Sequence, residues 1–347
     1  MSLIADAEFM RLNIPLLCHF TELVRTLGGD QAEMLPLIGI SSQDFRDDTT
    51  DLTYPQVIRL LAIAARLLDC PDFGMRLALR QRDGAIFGPL GNTMRNSRTF
   101  GDALHFANEH IHAHSRAARM WLRKNSAEGS VFAGHELAFD ISGERIQAIE
   151  QILLIGHLGA MDMTGGYARA RRIHFRHEPL SAVGDYRRYF GCDVVFGEPA
   201  DGITFSDRDL ASPILSQNAQ VHGALVAYIE KHFPRQRAPF HTEVRGLIMR
   251  RLTQGDCAAS EVARALSIHH RTLRRRLNQE GTSFQEVKDD VRRDLTLYYL
   301  QQTNLDFRGI SEKLGFAEQA VFSRSCRRWF GQSPTQLRGP RLPRTRN

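Results

Sequence analysis

The stretch "SEVARALSIHHRTLRRRL" (residues 260–277) contains two helical patterns separated by a tight turn. The first helix carries the small residue Ala263 and closes at Leu266, and residues 267–269 form the turn. The second helix begins with polar and basic residues. This order of elements predicts a helix-turn-helix motif, whose second helix is the one that enters a DNA groove.

The second helix of this motif has one apolar and one basic face. Leu273 and Leu277, four residues apart, form the buried stripe. Arg271, Arg274 and Arg275 share another face, where each like-charged pair costs about 0.2–0.5 kcal/mol in isolation. Such a stripe is tolerable on a solvated surface. It becomes favourable when the guanidinium groups neutralise phosphates or bind guanine edges, and we expect the second arrangement.

The motif occurs twice. The stretch "ISEKLGFAEQAVFSRSCRRWF" (residues 310–330) repeats the plan of the first motif at an offset of 48 residues, which becomes 49 after the turn. In this alignment Ile310, Ser311 and Leu314 correspond to Val262, Ala263 and Leu266, and Phe322, Arg324 and Cys326 correspond to Leu273, Arg275 and Leu277. Two motifs at a fixed spacing are much rarer by chance than one.

A long helix over residues 284–302 joins the two motifs. One face of this helix is apolar and contains Phe284, Val287, Val291, Leu295 and Tyr298. Nineteen residues span about 28 Å, close to the roughly 34 Å of one DNA turn. A rigid connection of this length can place both recognition helices on the same side of a duplex.

These stretches resemble the double helix-turn-helix domain of the AraC/XylS family of bacterial transcription regulators. The resemblance covers residues 242–338 and includes the specific tail motif G-x-S-P-x-x-x-R (Gly331, Ser333, Pro334, Arg338). A looser resemblance, over about residues 20–210, is to the effector-binding and dimerising domain of one branch of that family. The chain departs from the family pattern at Ser311, Ala317 and Cys326.

The resemblance implies roles for individual residues. The residues expected to contact DNA bases are Arg271, Arg274, Arg275, Glu318, Gln319, Ser323 and Arg324. The residues expected to contact phosphates are Thr282, Ser283, Arg327 and Arg328. Phosphate contacts position the protein on the duplex but do not read its sequence. The aromatic residues Phe316, Phe322, Trp329 and Phe330 are expected in the core.

The pattern along the chain predicts an α+β N-terminal domain followed by an all-α C-terminal domain with two helix-turn-helix motifs joined by a long helix. The expected N-terminal elements are helices over 3–27, 54–68, 100–112 and 144–163, a hairpin over 118–139, a strand over 171–177 and a second hairpin over 193–206. The predicted domains are 1–212 for effector binding and dimerisation, 213–240 as a linker with a short helix, 241–340 for DNA binding, and 341–347 as a basic tail.

Composition supports a polyanionic partner. Residues 241–347 hold 20 of the 45 Lys and Arg residues but only 11 of the 39 Asp and Glu residues. The five cysteines are widely spaced without a C-x-x-C pair, which favours a reducing cytoplasm over a disulfide framework or a zinc site. No secretory signal and no apolar run long enough for a membrane helix is visible, so no membrane association is expected.

A histidine-rich segment, "HFANEHIHAH" (residues 105–114), raises the question of a metal site. His105, Glu109 and His112 share one helical face, and His110 and His114 share another. One helix cannot easily direct all five side chains to one ion, so we expect a solvated or partner-facing cluster without bound metal. No cofactor is predicted, and the signature motifs of hydrolases, zinc proteases and nucleotide-binding enzymes are absent from the sequence, so we predict no enzymatic activity.

The sequence thus predicts a transcription regulator that binds promoter DNA as a homodimer. By the resemblance, a small-molecule effector binds the N-terminal domain, and activation through RNA polymerase is more common than repression. A carboxylate effector, such as a fatty acid or an amino acid, would need basic residues in an apolar pocket; the candidates are Arg95, His105, Arg119 and Tyr167. The alternative is a DNA-binding regulator whose N-terminal domain senses a metal ion or a protein partner.

Overall fold

The computed structural model describes residues 12, 16–43, 45–46, 52–81, 85–137, 144–234, 240–252, 257–302 and 305–338. Their contacts divide into two units, one within residues 12–234 and one within residues 240–338. Most of the predicted start of the first helix, residues 235–239 of the predicted linker and the basic tail over 341–347 lie outside the described residues.

The first unit combines helices with one mixed sheet, which confirms the α+β prediction. Its helices are α1 (Phe20–Thr26), α2 (Gln31–Met34), α3 (Tyr54–Leu67), α4 (Phe73–Arg80), α5 (Gly88–Arg95), α6 (Phe100–His110), α7 (Ile146–Thr164), α8 (Val183–Phe190), α9 (Asp207–Leu210) and α10 (Ala219–His232), with short 3₁₀ helices at Leu35–Ile38, Ala85–Phe87 and Ile111–Ala113. Its strands are β1 (Ala118–Asn125), β2 (Ser130–Leu137), β3 (Arg172–His174), β4 (Asp193–Val195) and β5 (Asp201–Ser206).

The sheet has the strand order β1-β2-β5-β3-β4. The β1–β2 hairpin is confirmed. The predicted second hairpin is wrong, because β3 lies between its two arms: β4 pairs in parallel with β3, and β5 pairs antiparallel with both β2 and β3. Hydrogen bonds of the loop after β3 stabilise this order, since Phe175 N donates to Val195 O and Glu198 N donates to Phe175 O.

Helix α7 is the central helix of the first unit and is buried along almost all of its length. Its first turn approaches α4 so closely that a Cβ atom at Gly74 would lie 2.1 Å from Gln147 O. The Gln147 side chain accepts a hydrogen bond from Gly74 N at 2.7 Å. A larger residue at position 74 would therefore separate the two helices.

Helix α10, predicted within the linker, packs against α5 in the first unit. The Asn218 side chain caps its first turn by accepting hydrogen bonds from Gln220 N and Val221 N. At its other end, His112 Nε2 lies 3.0 Å from Phe233 O. Before the helix begins, Ser216 Oγ donates to Arg95 O, the last residue of α5. Both ends of this segment are thus tied to the first unit.

The second unit is all-α, as predicted. Its helices are α11 (Phe240–Leu252), α12 (Ala259–Ala265), α13 (His270–Gln279), α14 (Phe284–Gln302), α15 (Phe307–Lys313), α16 (Gln319–Phe330) and α17 (Pro334–Arg338). The predicted core residues Leu273, Leu277, Phe316 and Phe322 are buried, and Trp329 and Phe330 pack against them half-buried. On α14 the side chain of Tyr298 lies outside the described residues, and Tyr299 is buried.

Candidate DNA-binding surface and effector cavity

The first helix-turn-helix consists of α12, a turn and α13. Ser267 adopts a left-handed conformation in this turn, with φ at 54°, and Ile268 N donates to Ala263 O. The ring of His269 then caps α13, since its Nδ1 accepts a hydrogen bond from Arg271 N at 3.2 Å. Leu273 and Leu277 anchor α13 in the core, which leaves its opposite face exposed.

The basic face of α13 is exposed. Arg271, Arg274 and Arg275 are all exposed, and no carboxylate within the described ranges forms an ion pair with any of them. The nearby Arg264, by contrast, is held by Glu261 at 2.6 Å. The fourth arginine of the run, Arg276, lies over the Phe240 ring at 5.2 Å. Three of the four arginines are therefore available to an external anion.

Arg274 lines a surface depression of about 310 Å³ between α13 and the start of α14. Ser283, a predicted phosphate contact, lines the same depression. Its hydroxyl also caps α14, because Ser283 Oγ accepts a hydrogen bond from Glu286 N at 3.2 Å. The neighbouring Thr282 Oγ1 lies 3.4 Å from Glu286 Oε2. The structure thus brings a predicted base contact and a predicted phosphate contact to one concave surface.

The second helix-turn-helix consists of α15, a turn at Gly315 and α16. Glu318 occupies the N-cap position of α16, and Gln319 and Arg324 are exposed on that helix, with Ser323 half-buried. Behind them Ser311 and Cys326, two of the departures from the family pattern, are buried. Both small side chains are therefore enclosed in the core, where the Ser311 hydroxyl has no hydrogen-bond partner among the described residues.

The two predicted phosphate contacts at the end of α16 differ. Arg327 is exposed and has no ion pair with a described carboxylate. Arg328 Nη2 lies 2.9 Å from Asp289 Oδ2 of α14, and its guanidinium lies over the Trp329 ring at 5.6 Å. The Asp289 carboxylate therefore fixes Arg328 in place and offsets part of its charge.

Arg292 of α14 ties the turn of the second motif to the long helix. Its Nε donates to Leu314 O at 2.9 Å, and its Nη2 donates to Gly315 O. The guanidinium lies 4.1 Å from the centre of the Phe316 ring, and the residue is 9% exposed. No role for this arginine was predicted, because its carbonyl partners lie in the turn of the second helix-turn-helix, outside the long helix.

The first unit contains an apolar cavity of about 120 Å³. Helices α5, α6 and α7 form one side, and the inner face of β1, β2 and β5 forms the other. The apolar residues that line it include Phe87, Leu90, Met94, Phe100, Leu104, Met120, Ile152, Ile155, Met163, Ile203 and Phe205. A preformed apolar cavity with few polar groups is the usual form of a small-molecule site.

Two histidines line this cavity. His114 is fully buried, and the ring nitrogens of both His114 and His135 lack hydrogen-bond partners in the described part of the chain. Burial lowers the pKa of His114 to about 3 and that of His135 to about 4, with a further lowering of the first by the second ring. Both imidazoles are therefore neutral at physiological pH.

Of the four residues proposed from sequence for the effector site, only Arg95 lines this cavity. His105, Arg119 and Tyr167 are exposed and do not line it, and Tyr167 is 72% exposed. His114 and His135, which line the cavity, were not among the predicted residues. The alternation of β2 carried a signal for His135, since it lies two residues from Ala133 and shares its face.

The histidine-rich segment is not a solvated cluster throughout. His110 Nδ1 lies 3.1 Å from Phe106 O, and His112 is bonded to Phe233 O. His114 was expected to be solvated or partner-facing and is instead buried at the cavity, because the chain turns inward through the 3₁₀ helix after α6. No group of three or more His, Cys, Asp or Glu side chains that could hold a metal ion occurs among the described residues.

Comparison with known families covers both units. The family model described as the arabinose-binding domain of AraC transcription regulators matches residues 28–214, and a helix-turn-helix domain model matches residues 262–339. The chain belongs to the AraC family. The AraC-family regulator VirS of Mycobacterium tuberculosis is 32% identical over 324 residues, which cover 92% of this chain and 94% of VirS.

Two further proteins extend the comparison. The ornithine utilization regulator of Pseudomonas aeruginosa is 27% identical over 277 residues, 78% of this chain and 79% of that protein. The crystal structure of the transcriptional regulator CdpR from the same organism is 24% identical, covers 78% of this chain and 87% of that one, and superposes with a TM-score of 0.41.

This AraC-family chain is therefore a DNA-binding transcription regulator with an effector-binding N-terminal domain, and its relatives are regulators rather than enzymes. No helix in the described ranges is both long and apolar enough to cross a membrane.

Proposed function

We propose that this AraC-family regulator reads two successive major-groove segments of promoter DNA with α13 and α16. The observation that carries the proposal is the exposed face of α13, on which three arginines remain without described ion-pair partners. Holding three like charges together is unfavourable unless an anion compensates them. A DNA duplex supplies both phosphates and guanine edges at the required spacing.

The proposed base contacts are Arg271, Arg274 and Arg275 from α13, and Glu318, Gln319, Ser323 and Arg324 from the start and exposed face of α16. The proposed phosphate contacts are Thr282, Ser283, Arg327 and Arg328. Arg327, which has no described ion pair, contributes the larger share of charge neutralisation at the end of α16. Arg328, already paired with Asp289, orients the helix end on the backbone.

A small molecule in the apolar cavity controls this binding. An effector shifts the equilibrium only if it binds the DNA-competent arrangement more tightly than the silent one. We further propose that the regulator acts as a homodimer on paired half-sites and activates transcription through contact with RNA polymerase, as the AraC-family resemblance implies. No observation favours metal sensing over this role.

Arg275→Ala is expected to weaken binding to a cognate promoter fragment by about 10- to 100-fold, the usual loss for a bidentate base contact. The fragment is first selected from pooled genomic DNA with the wild-type protein, and affinities are then measured by fluorescence anisotropy. Binding to random DNA should change much less. The matched control is Arg188→Ala, which removes an exposed arginine of α8 that is paired with Asp185.

Equal losses on cognate and random DNA would mean that Arg275 contacts only phosphates. No binding to any fragment at low salt, by a protein that hydrogen exchange shows to be folded, would overturn the DNA-reading role of this surface.

Arg327→Ala should behave differently. Because a phosphate contact carries no sequence information, the substitution is expected to lower the affinity for cognate and for random DNA by similar factors. The slope of log affinity against log salt concentration should fall in magnitude by about 1, since one fewer counterion is released. The measurement is a salt titration of both DNAs with wild type and variant. A selective loss on cognate DNA would instead assign Arg327 to base reading.

A further inference from the structure

The cavity in the first unit indicates the chemistry of its ligand, an inference that rests on the proposed role of this cavity as the effector site. We propose that it binds a small uncharged amphiphile, with an apolar body of about six carbons and a hydroxyl or amide head that hydrogen-bonds to His114 and His135. Four features of the cavity support this proposal: its lining, its free imidazole nitrogens, its glycines and its dimensions.

The lining excludes a sugar. Apolar side chains from three helices and three strands make up nearly all of the wall, and the polar side chains that line it are Arg95, His114 and His135. A monosaccharide has four or more hydroxyl groups, and each one that is buried without a partner costs about 1–3 kcal/mol. Most of these hydroxyl groups would face apolar side chains, since the lining apart from those three residues is apolar, so the body of the ligand is apolar.

The two imidazoles match an uncharged head. A neutral imidazole offers one donor and one acceptor, as does a hydroxyl group, so both can be satisfied together. All four ring nitrogens of His114 and His135 lack hydrogen-bond partners among the described residues. A carboxylate placed against two neutral rings would lose its hydration without gaining a compensating charge.

Glycines keep the cavity open. Gly156 and Gly159 lie in the middle of α7 and line the cavity, although glycine there costs about 1 kcal/mol relative to alanine. A Cβ atom at Gly159 would meet nothing within 4 Å, and one at Gly156 would meet only Ile203 Cδ1 at 3.6 Å. The backbone would accept a larger residue at either site. The absence of side chains there therefore preserves space rather than relieving a clash.

The dimensions separate the histidine pair from Arg95. The ring of Phe87, which precedes α5, lies 5.7 Å from that of His114, and Arg95 is the last residue of α5. Eight residues of helix correspond to about 12 Å. The cavity, at about 120 Å³, is slightly smaller than apolar cavities of about 150 Å³ that hold benzene. A ligand of about that size, with its head at the histidines, fills the cavity.

The test uses the full-length protein with ¹³C-labelled methionine methyl groups. Met94, Met120 and Met163 line the cavity, whereas Met75 is buried in α4 and does not line it. Benzyl alcohol, toluene and benzoate share one ring and differ in the head. Benzyl alcohol is expected to shift the three cavity methyls saturably and to leave Met75 unchanged. Toluene should bind about fivefold more weakly for want of the hydrogen bond, and benzoate at least tenfold more weakly.

Two variants test the contributions of the polar head and the apolar body of the ligand separately. His114→Phe keeps a ring of similar size, so toluene should still bind while the preference for benzyl alcohol disappears. Gly159→Leu fills the cavity and should abolish the shifts for all three probes. Its control is Gly223→Leu, a glycine-to-leucine change in the exposed part of α10, where a Cβ atom also meets nothing within 4 Å.

Three outcomes would overturn the proposal: toluene binding as tightly as benzyl alcohol, benzoate binding most tightly, or no saturable shift with any probe. Tightest binding of benzoate would point to a charged ligand at Arg95. These measurements do not involve DNA. If they fail while Arg275→Ala still loses promoter selection, the ligand class is wrong and the DNA-reading function stands.

Discussion

Replacement of Arg292 by alanine is expected to lower the free energy of unfolding of the DNA-binding unit by about 3 kcal/mol or more and to abolish promoter binding. The guanidinium donates to two backbone carbonyl groups, Leu314 O and Gly315 O, in the turn of the second helix-turn-helix. It also forms an ion pair with Asp289 at 3.6 Å. Removing it leaves these acceptors without their donor in a site where water has little access.

The loss should be specific to the planar guanidinium. Arg292→Lys keeps the charge but cannot donate in two fixed directions, so we expect it to recover less than half of the lost stability. The control is Arg293→Ala, the next residue on α14, which is 37% exposed and pairs with Asp290. An exposed ion pair of this kind contributes about 0–1 kcal/mol.

Native-state hydrogen exchange followed by mass spectrometry measures the two units separately. Amides of α14, α15 and α16 should exchange much faster in Arg292→Ala, while α7 in the first unit remains protected. Stability equal to that of Arg293→Ala would show that the carbonyl contacts of Arg292 contribute nothing to the turn.

Glu150→Gln is expected to stabilise the first unit, and more so at pH 8 than at pH 5.5. Glu150 is fully buried in α7, and Tyr186 Oη donates to its Oε1 at 2.6 Å. Burial raises the pKa of this carboxyl to about 8, the Tyr186 hydrogen bond opposes that rise, and the Asp72 charge adds to it. The nearest basic group is His177, whose Nε2 lies 3.6 Å from Oε1 and whose pKa is lowered by burial.

The direction of the effect follows from proton linkage. Below pH 4.5 the carboxyl is protonated in both states and contributes no pH dependence. As the pH rises from 4.5 to about 8, the unfolded chain releases this proton while the folded protein keeps it, so stability falls by about 1.4 kcal/mol per pH unit. Above pH 8 the contribution is constant. Glutamine keeps the acceptor for Tyr186 and does not titrate.

The difference in free energy of unfolding between the variant and wild type should therefore be about 3 kcal/mol larger at pH 8 than at pH 5.5. Urea unfolding at the two pH values gives this difference, and the contributions of histidines that do not contact Glu150 cancel because both proteins contain them. A gain that is the same at both pH values would mean that Glu150 is ionised in the folded protein. Tyr186→Phe, which removes the donor while leaving the carboxyl in place, is expected to raise the Glu150 pKa further and to extend the fall in stability above pH 8.

The DNA-binding unit was predictable because its signals are local. Helical periodicity and the short turns place Leu273, Leu277 and the arginines of α13 on opposite faces, and the structure has them there. The sheet of the first unit depends on distant pairings. The segments of β4 and β5 have the local pattern of a hairpin, but β3 separates them. No property of those two segments alone reveals the intervening strand.

The apolar cavity of the first unit was less predictable for a similar reason. Its wall comes from helices and strands between Phe87 and Phe205, and which residue faces it depends on how α7 packs on the sheet. The basic residues predicted by type therefore include both Arg95, which lines the cavity, and His105, which lies on the exposed side of α6. Arg292 was missed because its carbonyl partners lie 22 and 23 residues further along the chain.

Helix α5 both lines the cavity and packs against α10. One side lines the cavity, where Leu90 and Met94 project, and α10 packs against the helix from elsewhere in the same unit. Ser216 is bonded to the final carbonyl of α5, and only residues 233–239 separate the end of α10 from the DNA-binding unit. Close-packed helices move together rather than compress. The helix that lines the cavity is therefore also the helix that holds α10, the last helix before the chain continues to the DNA-binding unit.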